Sequence, residues 1–168
     1  DAEILVADAA VAADAPLGAC ATSQGYPETL SCTGLYSDFA ARTLADGVRE
    51  FRPGFQLWSD GAEKTRWIYL PPGTTIDVSD PEGWVFPVGT RVWKEFRLST
   101  TTGVRPIETR LLEKHADGWI RATYVWSADG ARADEEKDGV ATVAGTDGYS
   151  VPPQFLCGQC HQGRADEL

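Results

Sequence analysis

The clearest chemical signal in the chain is the run Cys157-Gly158-Gln159-Cys160-His161. Two thiols at this C-x-x-C-H spacing add to the two vinyl groups of haem, and the adjacent imidazole reaches the iron from one side. The motif therefore predicts one covalently attached haem c. Cys157 and Cys160 are the expected attachment points, and His161 is the expected proximal iron ligand.

Three other uses of the motif compete with this interpretation. A redox dithiol needs only the two cysteines, but such a motif normally begins a helix in a βαβ unit, and this one follows Pro152-Pro153. A zinc site needs further Cys or His ligands, and the rest of the chain offers only His115 and a distant cysteine pair. The third alternative is a structural loop that matches the motif by chance.

The other side of the iron has no obvious strong ligand, because the chain contains no methionine. His115, in a turn between two expected strands, is one possible sixth ligand, although turn histidines are more often exposed to solvent. Lys94 is the other, since burial on an apolar strand face would lower its pKa and favour the neutral, coordinating amine. Without either ligand the iron stays five-coordinate or binds water, and we expect this open state.

A second cysteine pair, Cys20 and Cys32, flanks a turn-rich stretch and has no histidine beside it. We predict a disulfide, with two free buried thiols as the alternative. Closing a loop of this size stabilises a fold by about 3 kcal/mol in the chain-entropy model, and it requires an oxidising compartment. Haem attachment to C-x-x-C-H is also extracytoplasmic chemistry in bacteria, so both pairs indicate a periplasmic or extracellular protein.

Composition limits the classes of partner. The chain has 168 residues, and its 25 acidic and 15 basic residues give a formal charge of −10, which disfavours binding to nucleic acid. No apolar run is long enough to span a membrane. Residues 1–16 are rich in Ala and Asp, and we expect a flexible tether left after removal of an export signal. Residues 17–168 are expected to form a single haem-binding domain with a redox protein or a small molecule as partner.

Most periodic segments predict strands. Residues 65–70 and 74–78 flank a Pro-Pro-Gly turn and predict one hairpin, and residues 107–114 and 119–126 predict a second. In residues 90–98 the alternation places Lys94 and Phe96 on one face, which is the more apolar one. The expected fold is mainly β (α+β), with an antiparallel sheet or sandwich core, a few short helices and a C-terminal haem-attachment segment.

Two segments outside these strands have weaker signals. Residues 30–52 predict a short helix and a loop, with a capped turn at residues 37–42 leading into the helix. Residues 127–149 are charged and glycine-rich, and they predict a solvated loop without a catalytic role.

Several blocks of sequence resemble an uncharacterised bacterial family of exported haem c proteins, some of which are fused to sugar-dehydrogenase-like propellers. The resemblance covers approximately residues 30–161 and ends in the haem motif. Its other blocks are Leu57-Trp58-Ser59-Asp60-Gly61-Ala62-Glu63-Lys64, Tyr69-Leu70-Pro71-Pro72-Gly73-Thr74, Trp84-Val85-Phe86-Pro87-Val88-Gly89-Thr90 and Ile107-Glu108-Thr109-Arg110-Leu111-Leu112.

A more local resemblance is to the cytochrome P460 and cytochrome c′-beta group. It rests on the strand Phe86-Pro87-Val88-Gly89-Thr90-Arg91-Val92-Trp93-Lys94-Glu95. The resemblance implies a P460-like antiparallel sheet, and it places Lys94 at the position of the lysine that P460 proteins cross-link to haem. It also implies that Arg66 and Glu108 are polar residues of the distal pocket, suited to proton delivery. The alternative for Arg66 and Glu108 is a cross-strand ion pair.

Three functions are compatible with these features. The first is a haem protein with an open or weakly ligated sixth position that binds or transforms nitric oxide, carbon monoxide, peroxide or a hydroxylamine-like molecule, and we favour it. The second is an electron-transfer module with six-coordinate haem and a basic protein partner. The third is a β-sandwich binding module whose 6 tryptophans and 5 tyrosines line a binding surface, although aromatic residues at this density usually form the core.

Overall fold

The computed structural model describes residues 20, 22–23, 25–101 and 103–161. The expected tether over residues 1–16 lies outside these residues. The strands are β1 (Thr22–Ser23), β2 (Tyr26–Pro27), β3 (Tyr36–Asp38), β4 (Thr43–Leu44), β5 (Arg49–Glu50), β6 (Glu63–Tyr69), β7 (Arg91–Thr100), β8 (Gly103–His115), β9 (Gly118–Trp126) and β10 (Ala133–Glu135), and 3₁₀ helices cover Leu30–Cys32 and Gln154–Gln159.

The centre of the fold is one antiparallel sheet in the order β10-β9-β8-β7-β6-β5. Two further sheets have two strands each, β1 with β2 and β3 with β4. The prediction of a mainly β fold with an antiparallel sheet and few helices is confirmed. Among the described residues, no helix is long and apolar enough to cross a membrane.

Alternate side chains of the central strands point to opposite faces of the six-stranded sheet. Trp67, Trp93, Leu111 and Ala122 are paired in register across β6, β7, β8 and β9, and all four belong to the main buried core. Lys94 shares the other face with Phe96, as predicted. The expectation that this is the more apolar side of β7 is wrong, because the larger core forms on the face of Trp93.

The long hairpin of β8 and β9 confirms the prediction for residues 107–126. Its last pair joins His115 to Gly118, and Gly118 has a φ of 132°, a conformation that L side chains rarely adopt. Apolar and polar residues alternate on both sides of this turn, so the local pattern is sufficient to specify the pairing.

The expected hairpin of residues 65–70 and 74–78 does not form. The Pro-Pro-Gly segment does turn, with the Thr74 amide donating to the Pro71 carbonyl over 3.2 Å, but Asp77 then makes only an isolated bridge to Val85. Both edges of β6 are already paired, to β5 on one side and to β7 on the other. Seven register pairs with β7 outweigh what a short local hairpin could offer.

Within residues 30–52 the helical structure is limited to the 3₁₀ helix Leu30–Cys32, and no helix follows the turn at residues 37–42. The capped turn exists, since the Ala41 amide donates to Asp38 Oδ1 over 2.9 Å, but it connects β3 to β4. Arg42 has a φ of 56°, which no helical residue adopts. Its guanidinium carbon lies 4.0 Å from the centre of the Trp126 ring, so a tertiary contact outweighs the local helical preference.

The disulfide between Cys20 and Cys32 is confirmed, with the two Cα atoms 5.9 Å apart. It ties residue 20 to the first 3₁₀ helix, which is anchored by the fully buried Leu30. This bridge lies on the side of the main core and leaves Cys157 and Cys160 as free thiols.

The segment after β9 differs from the expected solvated loop. Ala133–Glu135 pairs with β9 as the edge strand β10, and Val143, Tyr149 and Val151 pack with Phe96 in a second buried cluster. This cluster covers one end of the sheet face that carries Lys94. The remaining part of that face is the region where the predicted site residues meet.

Candidate functional site

The C-x-x-C-H motif forms a compact turn at the end of the second 3₁₀ helix. The amides of Cys160 and His161 both donate to the Cys157 carbonyl, over 3.3 and 3.1 Å. Cys157 and His161 are half-buried and Cys160 is exposed. The two thiols and the imidazole are therefore carried on a single turn, and they do not begin an α-helix as a redox dithiol normally does.

Gln154 fastens this turn to the sheet. Its backbone amide donates to the Lys137 carbonyl over 2.9 Å, and its side-chain amide donates to the Tyr26 hydroxyl over 2.6 Å. Its side-chain carbonyl accepts a hydrogen bond from the Thr123 amide. At the other end of the motif, the Arg121 guanidinium donates to the His161 carbonyl. The motif is thus held against β9.

A row of polar residues crosses the sheet on the same face. Arg66, Lys94, Arg110 and Thr123 are paired in register across β6, β7, β8 and β9. Each of these four residues is the sequence neighbour of one residue of the core row Trp67, Trp93, Leu111 and Ala122. Because side chains alternate along a strand, the two rows lie on opposite faces of the sheet. Lys64, two residues before Arg66, extends the cationic row along β6.

The electrostatic environment of Lys94 confirms that these side chains are close together. The pKa of Lys94 is lowered to about 8, mainly by burial and then by repulsion from Arg66, Arg110 and Lys64. The charge of Glu108 acts in the opposite direction. The ammonium also lies 4.7 Å from the centre of the Phe96 ring. Lys94 is therefore a poorly solvated amine among cations.

Glu108 is the fully buried carboxylate of this face. Arg110 donates to both of its oxygens over 2.8 Å, and the Tyr149 hydroxyl donates to Oε1 over 2.7 Å. Burial raises the pKa of Tyr149, and the charge of Glu108 raises it further. Burial by itself lowers the pKa of Arg110, but the hydrogen bonds and charge of Glu108 outweigh this effect and raise it. The expected alternative, an ion pair of Glu108 with Arg66, does not form.

His161 faces the same group of cations. Burial lowers the pKa of His161, and three nearby charges lower it further: those of Lys94, Arg121 and Arg110. The charge of Cys157 in turn contributes to the pKa of Arg110. The lowered pKa favours the neutral imidazole, which is the form that ligates metals. The structure therefore brings Cys157 and His161 together with Lys94, Arg66 and Glu108.

His115 is the predicted residue that the structure does not bring to this place. It ends β8 on the face that also carries Leu111 and Glu113, opposite to the face of Lys94. Its Nε2 lies 3.5 Å from Glu113 Oε1. Of the two possible sixth ligands, Lys94 alone shares a face with His161.

Three residues of the site were not foreseen from the sequence: Arg110, Arg121 and Tyr149. Arg110 follows Glu108 by two residues, so strand alternation alone could have placed both on one face. Arg121 could have been found from the register of the β8–β9 hairpin. No local signal marks Tyr149, because it lies 41 residues from Glu108, in a later segment without regular alternation.

Large apolar side chains border the cationic row. Phe55, Leu57 and Trp58 are 96%, 80% and 79% exposed, and Phe155, beside the motif, is 79% exposed. The Lys64 ammonium donates to the Leu57 carbonyl and to Ser59 Oγ, which places Leu57 and Trp58 close to the row. A cavity of about 480 Å³ also adjoins the motif at Phe155 and Gly158.

These features fit a haem group. Two free thiols and a neutral imidazole could provide the attachment, and the exposed apolar side chains could provide surfaces for a macrocycle. Two buried polar atoms on β9, Arg121 Nε and Thr123 Oγ1, have no hydrogen-bond partner in the described part of the chain. The Arg121 guanidinium could bind a carboxylate of such a group. Within the described ranges, no three His, Cys, Asp or Glu side chains form a group that could hold a metal ion by themselves.

Comparison of the chain with protein-family models, curated proteins and solved structures gave no match.

Proposed function

We propose that this protein is an exported monohaem c-type cytochrome whose sixth coordination position is open or weakly ligated. The observation that carries the proposal is the position of the C-x-x-C-H turn, which faces Lys94, Arg66 and the buried Glu108 across one sheet face. Cys157 and Cys160 would hold the haem covalently, and His161 would ligate its iron. Bound haem supplies a redox-active iron that can coordinate a small ligand.

The chain's own residues would serve such a ligand in different ways. Lys94, with a pKa of about 8, can hold or release a proton near neutral pH at its Nζ atom. Arg66 carries a fixed positive charge beside it. Arg110 and Tyr149 hold Glu108 in one orientation through three hydrogen bonds. This combination suits the binding or transformation of nitric oxide, carbon monoxide, peroxide or a hydroxylamine-like molecule.

Electron transfer is the second candidate function. It is favoured by the exposure of Cys160, which would leave one edge of an attached haem near the surface, and by the formal charge of −10, which suits a basic redox partner. It requires a strong sixth ligand, and Lys94 is the available side chain on the face of His161.

Export is part of the same proposal. The Cys20–Cys32 disulfide needs an oxidising compartment, and haem attachment to a C-x-x-C-H motif takes place outside the cytoplasm in bacteria. Both requirements are met in the periplasm or outside the cell.

Expression in a bacterial host with an extracytoplasmic haem-attachment system tests the proposal. We expect haem that stays with the denatured polypeptide, a mass increase of one haem, and a pyridine haemochrome spectrum of the c type. Cys157→Ser and Cys160→Ser should abolish or weaken covalent attachment, whereas the matched control Cys20→Ser/Cys32→Ser should retain it. A folded wild-type protein that never acquires haem would rule the proposal out.

A further inference from the structure

Three neighbouring cations on the site face have no acidic partner, a lack that Arg49, Arg105 and Arg121 share among the described residues. Within the described residues, Lys64, Arg66 and Lys94 have no carboxylate within 4.0 Å. Many other basic side chains do have one, including the neighbouring Arg110, which is paired with Glu108. The chain has 25 acidic residues for 15 basic ones, so a shortage of carboxylates does not explain this arrangement.

The unpaired cations also repel one another. Arg66 and Lys94 are directly opposite in the register of β6 and β7, a position in which like charges destabilise a sheet. Burial lowers the pKa of Arg66 and of Lys64, and Arg66 lowers that of Lys64 further. The carboxylate of Glu108 does not relieve this repulsion, because its oxygens are already bound by Arg110 and Tyr149.

We propose that Arg66 and Lys94 form a binding site for a small anion, and that the ligand of the open haem position is therefore anionic, of the size and charge of nitrite. This inference rests on the proposed haem function. A negative charge placed between the two side chains offsets their repulsion, and the planar guanidinium of Arg66 suits an oxyanion with two acceptor oxygens. Desolvation of both groups strengthens the attraction.

A propionate group of the haem is the other anion that could bind between Arg66 and Lys94. A propionate on Arg66 and Lys94 would leave no preference for an anionic ligand at the iron. The two sources therefore predict different ligand selectivity in the haem-loaded protein.

The experiment is a spectroscopic titration of the ferric holoprotein at pH 7 with nitrite and, separately, with imidazole, which ligates iron as the neutral molecule. Arg66→Gln and Lys94→Gln should each weaken nitrite binding roughly tenfold or more, because each removes a charge-assisted contact. They should change imidazole binding by less than about twofold, because its binding lacks that contact. Arg132→Gln, at an exposed ion pair with Asp134, is the matched control and should change neither.

Salt dependence of the wild-type protein gives a second readout that needs no variant. Raising the ionic strength should weaken nitrite binding and leave imidazole binding nearly unchanged. Equal effects of Arg66→Gln and Lys94→Gln on both ligands, or nitrite binding indifferent to both variants and to salt, would overturn the anion site and assign the cations to a propionate. A preparation without haem absorbance would instead show that the proposed function itself has failed.

Discussion

The two faces of the six-stranded sheet are built from the same strands and have opposite characters. On one face Trp93 is fully buried, and the carboxylate of Glu95 lies 3.8 Å from Arg42 and 3.9 Å from Arg97. On the other face Lys94 lies among cations without an acidic partner. Residues 93, 94 and 95 are consecutive, so a single step along β7 separates a packed, paired core from an electrostatically unsatisfied surface.

This difference indicates where stability and function reside. On the Trp93 face two buried tryptophans are hydrogen-bonded within the core: Trp93 donates to Thr33 Oγ1 over 3.0 Å, and Trp126 donates to Thr109 Oγ1 over 3.0 Å. On the Lys94 face, Lys64, Arg66 and Lys94 have no carboxylate within 4.0 Å among the described residues, and large apolar side chains nearby are exposed. A folded protein tolerates such an arrangement where a bound group completes it.

The largest effect should come from the packed face. Trp93→Ala is expected to lower the free energy of unfolding by about 3–5 kcal/mol, because it empties a fully buried site and leaves Thr33 without a donor. Urea denaturation followed by far-ultraviolet circular dichroism measures the loss. Trp93→Phe should lose clearly less, because it keeps most of the buried volume. A loss below about 1 kcal/mol for Trp93→Ala would contradict the assignment of this face as the main core.

The Glu108 network tests whether part of the Lys94 face is also structural. Glu108→Ala should lower the free energy of unfolding by about 3 kcal/mol, because it leaves the half-buried Arg110 guanidinium without its partner. Tyr149→Phe should lose about 1–2 kcal/mol, since it removes one hydrogen bond to a charged group. Chemical denaturation of both variants and of the double variant measures the coupling. Strictly additive losses would show that the three residues do not act as one network.

The Lys94 side chain should lower stability at neutral pH in protein without haem. Its pKa is about 8 in the folded protein and near 10.5 in the unfolded chain. Between these values the unfolded chain binds the proton and the folded protein does not, so stability rises with pH across this window. A shift of this size corresponds to at most about 3 kcal/mol. Partial exposure to solvent reduces the expected contribution to about 1–2 kcal/mol.

Lys94→Gln should therefore raise the free energy of unfolding at pH 7, and its advantage should shrink toward pH 10. The comparison is made by urea denaturation in the Cys157→Ser/Cys160→Ser background, where no haem is attached. A stability difference that is the same at both pH values would show that Lys94 is not desolvated among cations.

The smallest effect should come from surface pairs that belong to neither face. The side chains of Arg132 and Asp134 are 75% and 47% exposed, although their charged atoms lie 3.0 Å apart. Arg132→Gln should change the free energy of unfolding by less than about 0.5 kcal/mol. Thermal and urea denaturation would measure it. A loss as large as that of Glu108→Ala would mean that burial does not determine the strength of ion pairs in this protein.

The parts of the fold that sequence reasoning predicted are those with local causes. The β8–β9 hairpin has alternation on both sides of a tight turn, and the Cys20–Cys32 disulfide closes a short loop. The parts that it missed depend on distant residues. Arg42 adopts a non-helical backbone conformation and contacts Trp126. Strand β6 pairs with β7 and not with the nearby residues 74–78. In both cases contacts with distant segments determine the local structure.

The candidate site also has parts with a local sequence signal and parts that depend on distant residues. The spacing of Cys157, Cys160 and His161 is visible within five residues of sequence, and the alternation of β7 correctly places Lys94 beside Phe96. The positions of Arg110 and Arg121 depend on strand register, and the contact of Tyr149 with Glu108 depends on how an irregular segment folds back on the sheet. Sequence patterns could therefore identify the C-x-x-C-H segment and the face of Lys94 but not the charged network around them.

The most direct test of the central proposal is the visible absorption spectrum of the purified protein, oxidised and reduced, before and after addition of carbon monoxide. We predict a c-type haem with a high-spin reduced spectrum that shifts when the gas is added. A low-spin spectrum indifferent to carbon monoxide would contradict the open site and favour electron transfer with Lys94 as the sixth ligand, and the absence of haem absorbance would contradict the cytochrome assignment altogether.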